Sequence, residues 1–346
     1  MLALTYRGPG ELVVEERAYP EPGPGEAVLS VGGCGLCGTD LRIAAGGHRA
    51  YVDAEGRVPG HEIAGRITAV GTGADVEEGA AAFVAPNIGC GHCRSCRSGR
   101  VNLCETPQAL GITRDGGFAE QVVLGADLIE QGNVLPVPGE VDLSALALAE
   151  PLACALRGSD ACSIQPGDVV VIVGAGPIGL MHLLVAALAS PALILLSEPS
   201  PARRAEADRF GADRVVDPQT EDLAAVVAEI SSGRGADVVI TAAPVGAVQA
   251  LALEIAAPGG RVNFFGGLPR DRSRVELDTN LIHYGELLVT GTTANTNEDC
   301  RRAVDLITTG RIDTGALIGA RVPLAEADRA FEVARSGEVI KVVVEP

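Results

Sequence analysis

The residues best suited to chemistry include a dense group of cysteines. The segment NIGCGHCRSCRSGRVNLCE, residues 87–105, holds four of the nine cysteines of the chain, namely Cys90, Cys93, Cys96 and Cys104. Their spacing is C-x2-C-x2-C-x7-C. Such a group can form a disulfide framework, an iron–sulfur cluster or a zinc site. The spacing alone does not distinguish these three from a coincidental grouping of cysteines.

A second set of candidate ligands is scattered along the chain. GGCGLCGTD supplies Cys37, PGHEIAG supplies His61 and Glu62, and LAEPLACALRG supplies Glu150. Thiolate, imidazole and carboxylate donors together suit zinc, and a catalytic zinc needs one position left open. Because these residues are far apart in the sequence, the alternative is that His61 hydrogen-bonds within a turn and Glu150 caps a helix.

The segment VVVIVGAGPIGL indicates a dinucleotide-binding loop. Gly174, Gly176 and Gly179 have G-x-G-x-x-G spacing directly after an apolar strand and at the start of a helix. The first glycine permits a tight turn, the second lets the backbone approach a pyrophosphate, and the third allows close packing of helix and strand. Pro177 and Ile178, which lie between the last two, belong to the same predicted cofactor site. The alternative is a glycine turn that binds nothing.

An acidic residue follows this loop at the distance that a dinucleotide site requires. Glu198 ends the next apolar run nineteen residues after Gly179. A carboxylate there accepts hydrogen bonds from the adenosine ribose and repels a 2′-phosphate, so NAD is favoured over NADP. Arg203 and Arg204 follow closely and weaken that preference, and Arg203 is included in the predicted cofactor site.

Composition excludes several classes of partner. The net charge is −18 over 346 residues, which disfavours nucleic acid and anionic membranes. The first residues, MLALTYRGPG, lack the features of an export signal, which predicts a cytoplasmic protein whose cysteines are thiols and metal ligands. Residues 169–196 are apolar enough to suggest a membrane span. The glycines and prolines within them instead favour a strand, a turn, a helix and a second strand.

The pattern of the chain predicts two domains. Up to about residue 140, short alternating segments between Pro/Gly clusters are typical of an irregular β-rich domain. Afterwards the strands VVVIVG, ALILLSE, RVVD, ADVVITAA and RVNFFGG alternate with helical segments, which predicts a parallel sheet with helices on both faces. The tail EVIKVVVEP is a further predicted strand, so the alternating unit is inserted within the β-rich domain.

The ordered motifs CGLCGTD, GHEIAG, the four-cysteine lobe, GGFAE, EPLACALRG and GAGPIG resemble the zinc-dependent medium-chain alcohol dehydrogenases. EPLACALRG is similar to the polyol and threonine dehydrogenase branch. The resemblance covers essentially the whole chain. It implies an α/β fold with a GroES-like, irregular β catalytic domain at 1–152. An inserted Rossmann NAD-binding domain, which is a doubly wound parallel sheet, is expected at 153–288, and the chain is expected to return to the catalytic domain at 289–346. The structural zinc lobe spans about 88–105.

Carried over by position, the resemblance implies two zinc sites. Cys37, His61 and Glu62 match the catalytic ligands, and Glu150 is expected to ligate directly or through water. Cys34 and Cys154 are nearby competitors, otherwise expected to be small buried apolar residues. The cysteine lobe matches the structural zinc site, which is closed and does no chemistry. A ferredoxin-like cluster would have a shorter final gap and a following proline. His92 is expected to be a solvated loop residue.

The resemblance also implies a mechanism. Hydride passes from a secondary alcohol to NAD, and Thr39 matches the hydroxyl that relays the substrate proton. Many relatives continue D-x-H, but here the residues are Asp40, Leu41 and Arg42. Arginine stays protonated at neutral pH and cannot shuttle a proton. Water or His48 is therefore expected to complete the relay. The segments 264–269 and 291–296 resemble loops near the nicotinamide.

Substrate identity rests on weaker signals. The polar loop at 41–60 favours a hydroxylated small molecule such as a polyol, sugar or cyclitol. An amino sugar or aminocyclitol, a sugar phosphate, and an epimerase or lyase that retains NAD are alternatives. A zinc-ribbon interaction module on an inactive scaffold is the non-enzyme alternative. The family resemblance further implies a homodimer or homotetramer.

Overall fold

The computed structural model describes residues 1–346, and the chain divides into two units. The outer unit comprises residues 1–153 and 294–346, and the inserted unit comprises residues 154–293. The strands are β1 (Leu2–Gly8), β2 (Glu11–Glu16), β3 (Ala27–Gly35), β4 (Glu62–Val70), β5 (Ala81–Val84), β6 (Asn87–Ile88), β7 (Gln108–Ala109), β8 (Gln121–Leu124), β9 (Val134–Val137), β10 (Val169–Val173), β11 (Leu193–Ser197), β12 (Arg214–Val216), β13 (Ala236–Thr241), β14 (Ala256–Asn263), β15 (Leu288–Thr290), β16 (Ile318–Pro323) and β17 (Lys341–Glu345). The helices are α1 (Gly38–Ala44), α2 (Arg94–Arg97), α3 (Ala126–Glu130), α4 (Leu143–Ala147), α5 (Ala149–Cys162), α6 (Pro177–Leu188), α7 (Pro201–Arg209), α8 (Leu223–Ile230), α9 (Gly246–Glu254), α10 (Thr279–Gly285), α11 (Asn297–Thr308) and α12 (Ala327–Ser336).

The inserted unit is built on a six-stranded parallel sheet in the order β12-β11-β10-β13-β14-β15. Relative to β10 as the first strand, this is the 3-2-1-4-5-6 order of doubly wound dinucleotide-binding folds. All five residues of β10 are buried, as expected for a strand covered on both faces. The predicted Rossmann sheet is therefore confirmed.

The outer unit is built on a seven-stranded, mainly antiparallel sheet. Its order is β16-β17-β3-β4-β5-β9, and β8 pairs with β3. Aliphatic side chains dominate its core, and only 3% of the chain is aromatic. Phe118 contacts Phe331 within this core, with 6.0 Å between the ring centroids. In this sheet β3 lies between β17 and β4, so residues from positions near 35, 62 and 341 come together.

The apolar segment at 169–196 does not form a membrane span. It contains β10, α6 and most of β11. No helix of the chain combines the length and the apolar character that crossing a bilayer demands.

Candidate functional site

The glycine loop of the inserted unit has the geometry of a phosphate-binding turn. Gly174 follows β10 with φ +110°, a left-handed conformation that favours glycine, and its N–H donates to the Ser197 carbonyl at 2.8 Å. Gly176 is the N-cap of α6. A Cβ atom on Gly179 would collide with the Gly174 carbonyl. Pro177 and Ile178 are half-buried in the first turn, where free N–H groups and the helix dipole favour an anion.

Glu198 is buried beside this loop at the end of β11. Its Oε2 accepts a hydrogen bond from the Ala175 N–H at 2.8 Å, and its Oε1 accepts one from the Ser200 N–H at 2.9 Å. Arg203 is half-buried on α7, whereas the Arg204 guanidinium donates to the Glu198 carbonyl at 2.9 Å. The carboxylate is thus fixed against the glycine loop, and each of its oxygens keeps a lone pair for a further donor.

The four cysteines of the lobe form a compact sulfur cluster. The Sγ atoms of Cys90, Cys93, Cys96 and Cys104 all lie within 4.8 Å of one another. Backbone N–H groups donate to three of these sulfurs, for example that of Cys93 to Cys90 Sγ at 3.3 Å. The N–H donors of Cys96 and Glu105 lower the pKa of Cys93 to about 6, which favours thiolate, whereas burial raises the pKa of Cys96 to about 12, so a bound cation is needed to hold all four sulfurs as thiolates. Four thiolates at this separation fit a closed tetrahedral zinc.

His92 lies at the surface of the lobe. Its side chain is exposed, and its Nδ1 is 3.6 Å from Cys90 Sγ. It is not one of the four clustered donors.

Cys37, His61 and Glu62 form a second donor cluster in the outer unit. One ligand atom of each lies within 4.8 Å of the others, and His61 and Glu62 are buried. Glu62 Oε2 has no hydrogen-bond partner. A buried polar atom without a partner is costly unless a ligand satisfies it. This mixed sulfur, nitrogen and oxygen set with an unsatisfied carboxylate oxygen fits a zinc with room for a further ligand.

Local structure brings these three residues together. Cys37 is the N-cap of α1, and Glu62 begins β4 opposite Gly35 at the end of β3. A Cβ atom on Gly35 would collide with Glu62 Oε2, so glycine is required there for the carboxylate to reach the cluster. Asp40 is buried and accepts a hydrogen bond from the Cys37 N–H at 2.9 Å.

Asp40 also faces His61, with Oδ1 at 3.6 Å from Nδ1. Burial lowers the pKa of His61, but Asp40 and Cys37 outweigh burial and raise that pKa well above its ordinary value. A carboxylate behind a metal-binding histidine orients the ring and strengthens it as a ligand. Asp40 therefore supports two of the three donors.

Lys341 supplies a positive charge to the cluster. It begins β17, is buried, and its Nζ donates to Glu62 Oε1 at 2.6 Å. Burial lowers the pKa of Lys341, but the charges of Glu62, Cys37 and Asp40 and the hydrogen bond to Glu62 together outweigh burial, so the pKa is above its ordinary value. The ion pair fixes one carboxylate oxygen of Glu62 and leaves the other facing the cluster.

Glu150 lies in the first turn of α5, outside the group of three donors within 4.8 Å. Burial raises its pKa, while the charge of His61 lowers that pKa and the charge of Glu62 raises it. Asn295 Nδ2 donates to Glu150 Oε1 at 2.7 Å and to the Glu150 carbonyl at 3.0 Å. Cys34 is fully buried and, like Cys154, is not among the clustered donors.

Thr39 is half-buried on α1, two residues beyond Cys37. Its Oγ1 accepts a hydrogen bond from Arg42 Nη2 at 3.1 Å. His48 caps a short 3₁₀ turn, and its Nδ1 accepts from the Ala50 N–H at 3.3 Å. Burial and the charges of Arg42 and Arg49 lower the pKa of His48. The Arg42 guanidinium thus lies directly beside the Thr39 hydroxyl.

Three residues of this site were not predicted from the sequence. Asp40 had a local signal, because it stands three residues after Cys37 in capping-box spacing. Lys341 had only the signal of being the sole lysine in the chain. Asn295 had no sequence signal that distinguishes it from any other asparagine that precedes a helix.

Comparisons with known proteins agree with this architecture. Residues 23–138 match the alcohol dehydrogenase GroES-like domain, and residues 177–309 match the zinc-binding dehydrogenase domain. The chain is 33% identical to L-galactonate-5-dehydrogenase of Escherichia coli K12, covering 99% of this chain and 98% of that protein. It is 34% identical to L-threonine 3-dehydrogenase of Pyrococcus horikoshii, covering 99% and 98%.

A solved structure of a protein of Sinorhizobium meliloti 1021, described as a zinc-binding dehydrogenase bound to NADP, has a TM-score of 0.92 at 35% identity and covers 100% of this chain and 99% of that one. The fold, the ligand clusters and these relatives define a metal-dependent oxidoreductase. The chain belongs to the zinc-type medium-chain alcohol dehydrogenases. It is an enzyme that acts on a small-molecule alcohol, and an inactive interaction module is not favoured.

Proposed function

We propose that the protein oxidises a secondary alcohol of a polyol, sugar or cyclitol with NAD, using one catalytic and one structural zinc. The observation that carries this proposal is the cluster of Cys37, His61 and Glu62, whose buried and unsatisfied Glu62 Oε2 suits a metal with an open position. Metal analysis of purified protein is expected to give two zinc ions per chain. Absorbance of NADH during incubation with a polyol and cyclitol panel tests the reaction.

In the proposed mechanism the chain holds the reactants and moves one proton. Cys37, His61 and Glu62 would hold zinc, which would supply Lewis-acid activation of the alcohol, and bound NAD would supply the hydride acceptor. Thr39 takes the substrate proton, and Arg42 orients its hydroxyl through the 3.1 Å hydrogen bond. Because Arg42 stays protonated, water or His48 receives the proton from Thr39. Asp40 and Lys341 hold His61 and Glu62 in place.

Replacing Thr39 with valine is expected to lower kcat/KM by about 100-fold or more, because a positioned proton-transfer group contributes factors of this size. Zinc content and thermal stability are expected to stay near those of the wild type. Thr220→Val, at an exposed turn, is the matched control. Steady-state kinetics as a function of pH measure the effect. A Thr39→Val enzyme with wild-type kcat/KM would remove Thr39 from the mechanism.

The preference for NAD is proposed on the basis of Glu198. Removing its charge by Glu198→Gln is expected to shift the ratio of kcat/KM for NAD over NADP by about tenfold toward NADP, since hydrogen bonds to a charged group contribute about 1.5–3 kcal/mol. Glu254→Gln, on the exposed side of α9, is the control. A ratio unchanged in Glu198→Gln would show that the carboxylate serves only the glycine loop.

The substrate class is supported by the loop at 41–60 and by the relatives. Arg42 and Arg49 are exposed on this loop, next to the Thr39 segment. The relatives include enzymes named for L-galactonate and L-threonine, and a sorbitol dehydrogenase of Halalkalibacterium halodurans is 30% identical. A panel of neutral polyols, sugar acids, amino sugars and sugar phosphates distinguishes these classes. Product without net NADH would instead indicate an epimerase or lyase.

A homodimer or homotetramer in the cytoplasm completes the proposal. Strand β15 is an edge of the parallel sheet, with Leu288 54% exposed and the nearby Tyr284 80% exposed. An exposed apolar edge strand is a template for pairing with another chain. Metal-binding thiols require a reducing compartment, which supports the cytoplasm. Light scattering after size-exclusion chromatography determines the oligomeric state.

A further inference from the structure

A chain of amide side chains joins Glu150 to the base of the cysteine lobe. Asn295, 1% exposed, donates through Nδ2 to both the carboxylate and the carbonyl of Glu150. Its Oδ1 in turn accepts a hydrogen bond from Asn87 Nδ2 at 2.8 Å. Asn87 begins β6, the strand that runs into Cys90. The Asn295 side chain therefore links Glu150 to the strand that leads into the lobe.

Two more asparagines extend the same network. Asn133 is fully buried and donates to the Asn87 carbonyl at 2.8 Å. Asn297 donates to Asn133 Oδ1 at 2.9 Å and to the Gln131 carbonyl at 2.8 Å. Gln131 Oε1 accepts from the Gly89 N–H at 3.1 Å, directly before Cys90. The base of the lobe is thus held from both sides by hydrogen bonds that lead to Asn295.

The backbone on both sides of Asn295 has a fixed conformation, which holds the Asn295 side chain against Glu150. Ala294 has φ +51°, a left-handed conformation that is unfavourable for alanine. Thr296 and Asp299 then form a capping box that starts α11 immediately after Asn295. A strained residue persists where the surrounding structure over-determines it. Here the capping box that follows Asn295 and the hydrogen bonds from Asn295 to Glu150 together hold Ala294 in this conformation.

We propose that Asn295 is a positioning residue that holds Glu150 beside the catalytic metal, and that Asn87 makes this position depend on the order of the cysteine lobe. The proposal rests on the assignment of Cys37, His61 and Glu62 to the metal site in the proposed function, and on the expectation that Glu150 ligates the same metal directly or through water. Groups that orient metal-binding side chains typically change metal affinity 10- to 100-fold when removed. Coupling between two binding sites acts equally in both directions. Zinc binding in the lobe therefore strengthens metal binding at the catalytic cluster, and metal at the cluster strengthens zinc binding in the lobe.

The test uses full-length protein in which the lobe retains zinc and the catalytic site carries Co²⁺. Asn295→Ala is expected to weaken Co²⁺ binding about 10- to 100-fold, measured by competition with a chromogenic chelator, and to shift the visible absorption bands of the bound cobalt. Lobe zinc is expected to remain. Asn280→Ala, at an exposed position of α10, is the matched control and is expected to match the wild type.

Asn87→Ala tests the connection to the lobe, because Asn87 contacts Asn295 rather than Glu150. We expect at least a threefold weaker Co²⁺ affinity, and a double variant no weaker than Asn295→Ala, because the two act in one network. Wild-type cobalt affinity and spectrum in both single variants would overturn the proposal, and an unaffected Asn87→Ala would overturn the link to the lobe.

Should Asn295→Ala fail to fold, Asn87→Ala decides alone, since Asn87 is only half-buried. Cobalt binding requires no turnover. A protein that binds Co²⁺ as expected but oxidises no alcohol would therefore refute the proposed function and leave the role of Asn295 standing.

Discussion

Replacing Lys341 with methionine is expected to lower the free energy of unfolding of metal-free protein by about 3–5 kcal/mol. Lys341 and Glu62 are 3% and 0% exposed, and their charged atoms are 2.6 Å apart. Methionine fills much of the same volume but leaves the Glu62 carboxylate buried without its counter-charge. Asp40 and Glu150 are further buried carboxylates, and the His61 ring faces Asp40, so the variant removes the cation that directly contacts Glu62.

Metal-loaded protein is expected to lose less stability, because a divalent cation also compensates Glu62. Urea denaturation of both forms measures the difference. Arg311→Met, at an exposed position, is the control and is expected to change stability by no more than about 0.5 kcal/mol. The double variant Lys341→Met, Glu62→Met is expected to recover much of the loss, since an apolar pair avoids the unpaired charge. Metal-free Lys341→Met as stable as wild type would contradict the buried ion pair.

Much of the fold could be predicted because its signals are local. The apolar runs at β10, β11 and β13 are buried on both faces, so the sequence shows continuous Val, Ile and Leu. The glycine loop is likewise determined within six residues, where Gly174 needs a positive φ and Gly179 needs close packing. The four cysteines of the lobe lie within fifteen residues, so a joint site is one hypothesis that the sequence allows, and the family resemblance favours zinc among its alternatives.

The rest of the site depends on contacts that local spacing does not encode. Lys341 and Glu62 are 279 residues apart, and Asn295 and Glu150 are 145 apart. The first contact exists because β17 and β4 flank β3, and the second because the segment before α11 packs against α5. Neither arrangement follows from hydrophobic periodicity. Charge compensation of a buried carboxylate becomes visible only when the strand order is known.

Replacing His61 with alanine is expected to lower kcat/KM by at least about 1,000-fold, because loss of the catalytic metal removes several kcal/mol of transition-state stabilisation. His61 is one of the three donors within 4.8 Å, so its removal leaves a thiolate and a carboxylate in that group, with Glu150 outside it, which is too few to retain zinc against a chelator. Zinc analysis is expected to fall from two ions per chain to one. The four-cysteine lobe shares no residue with this cluster and is expected to keep its metal.

His283→Ala, on the exposed face of α10, is the matched control and is expected to retain both zinc ions and wild-type kinetics. The converse variant, Cys104→Ser, is expected to release the lobe metal and lower the melting temperature, because a structural zinc contributes directly to folding. Each variant therefore removes a different ion, and activity follows the ion held by His61. Full activity in a His61→Ala protein that retains one zinc would show that chemistry proceeds without the cluster of Cys37, His61 and Glu62.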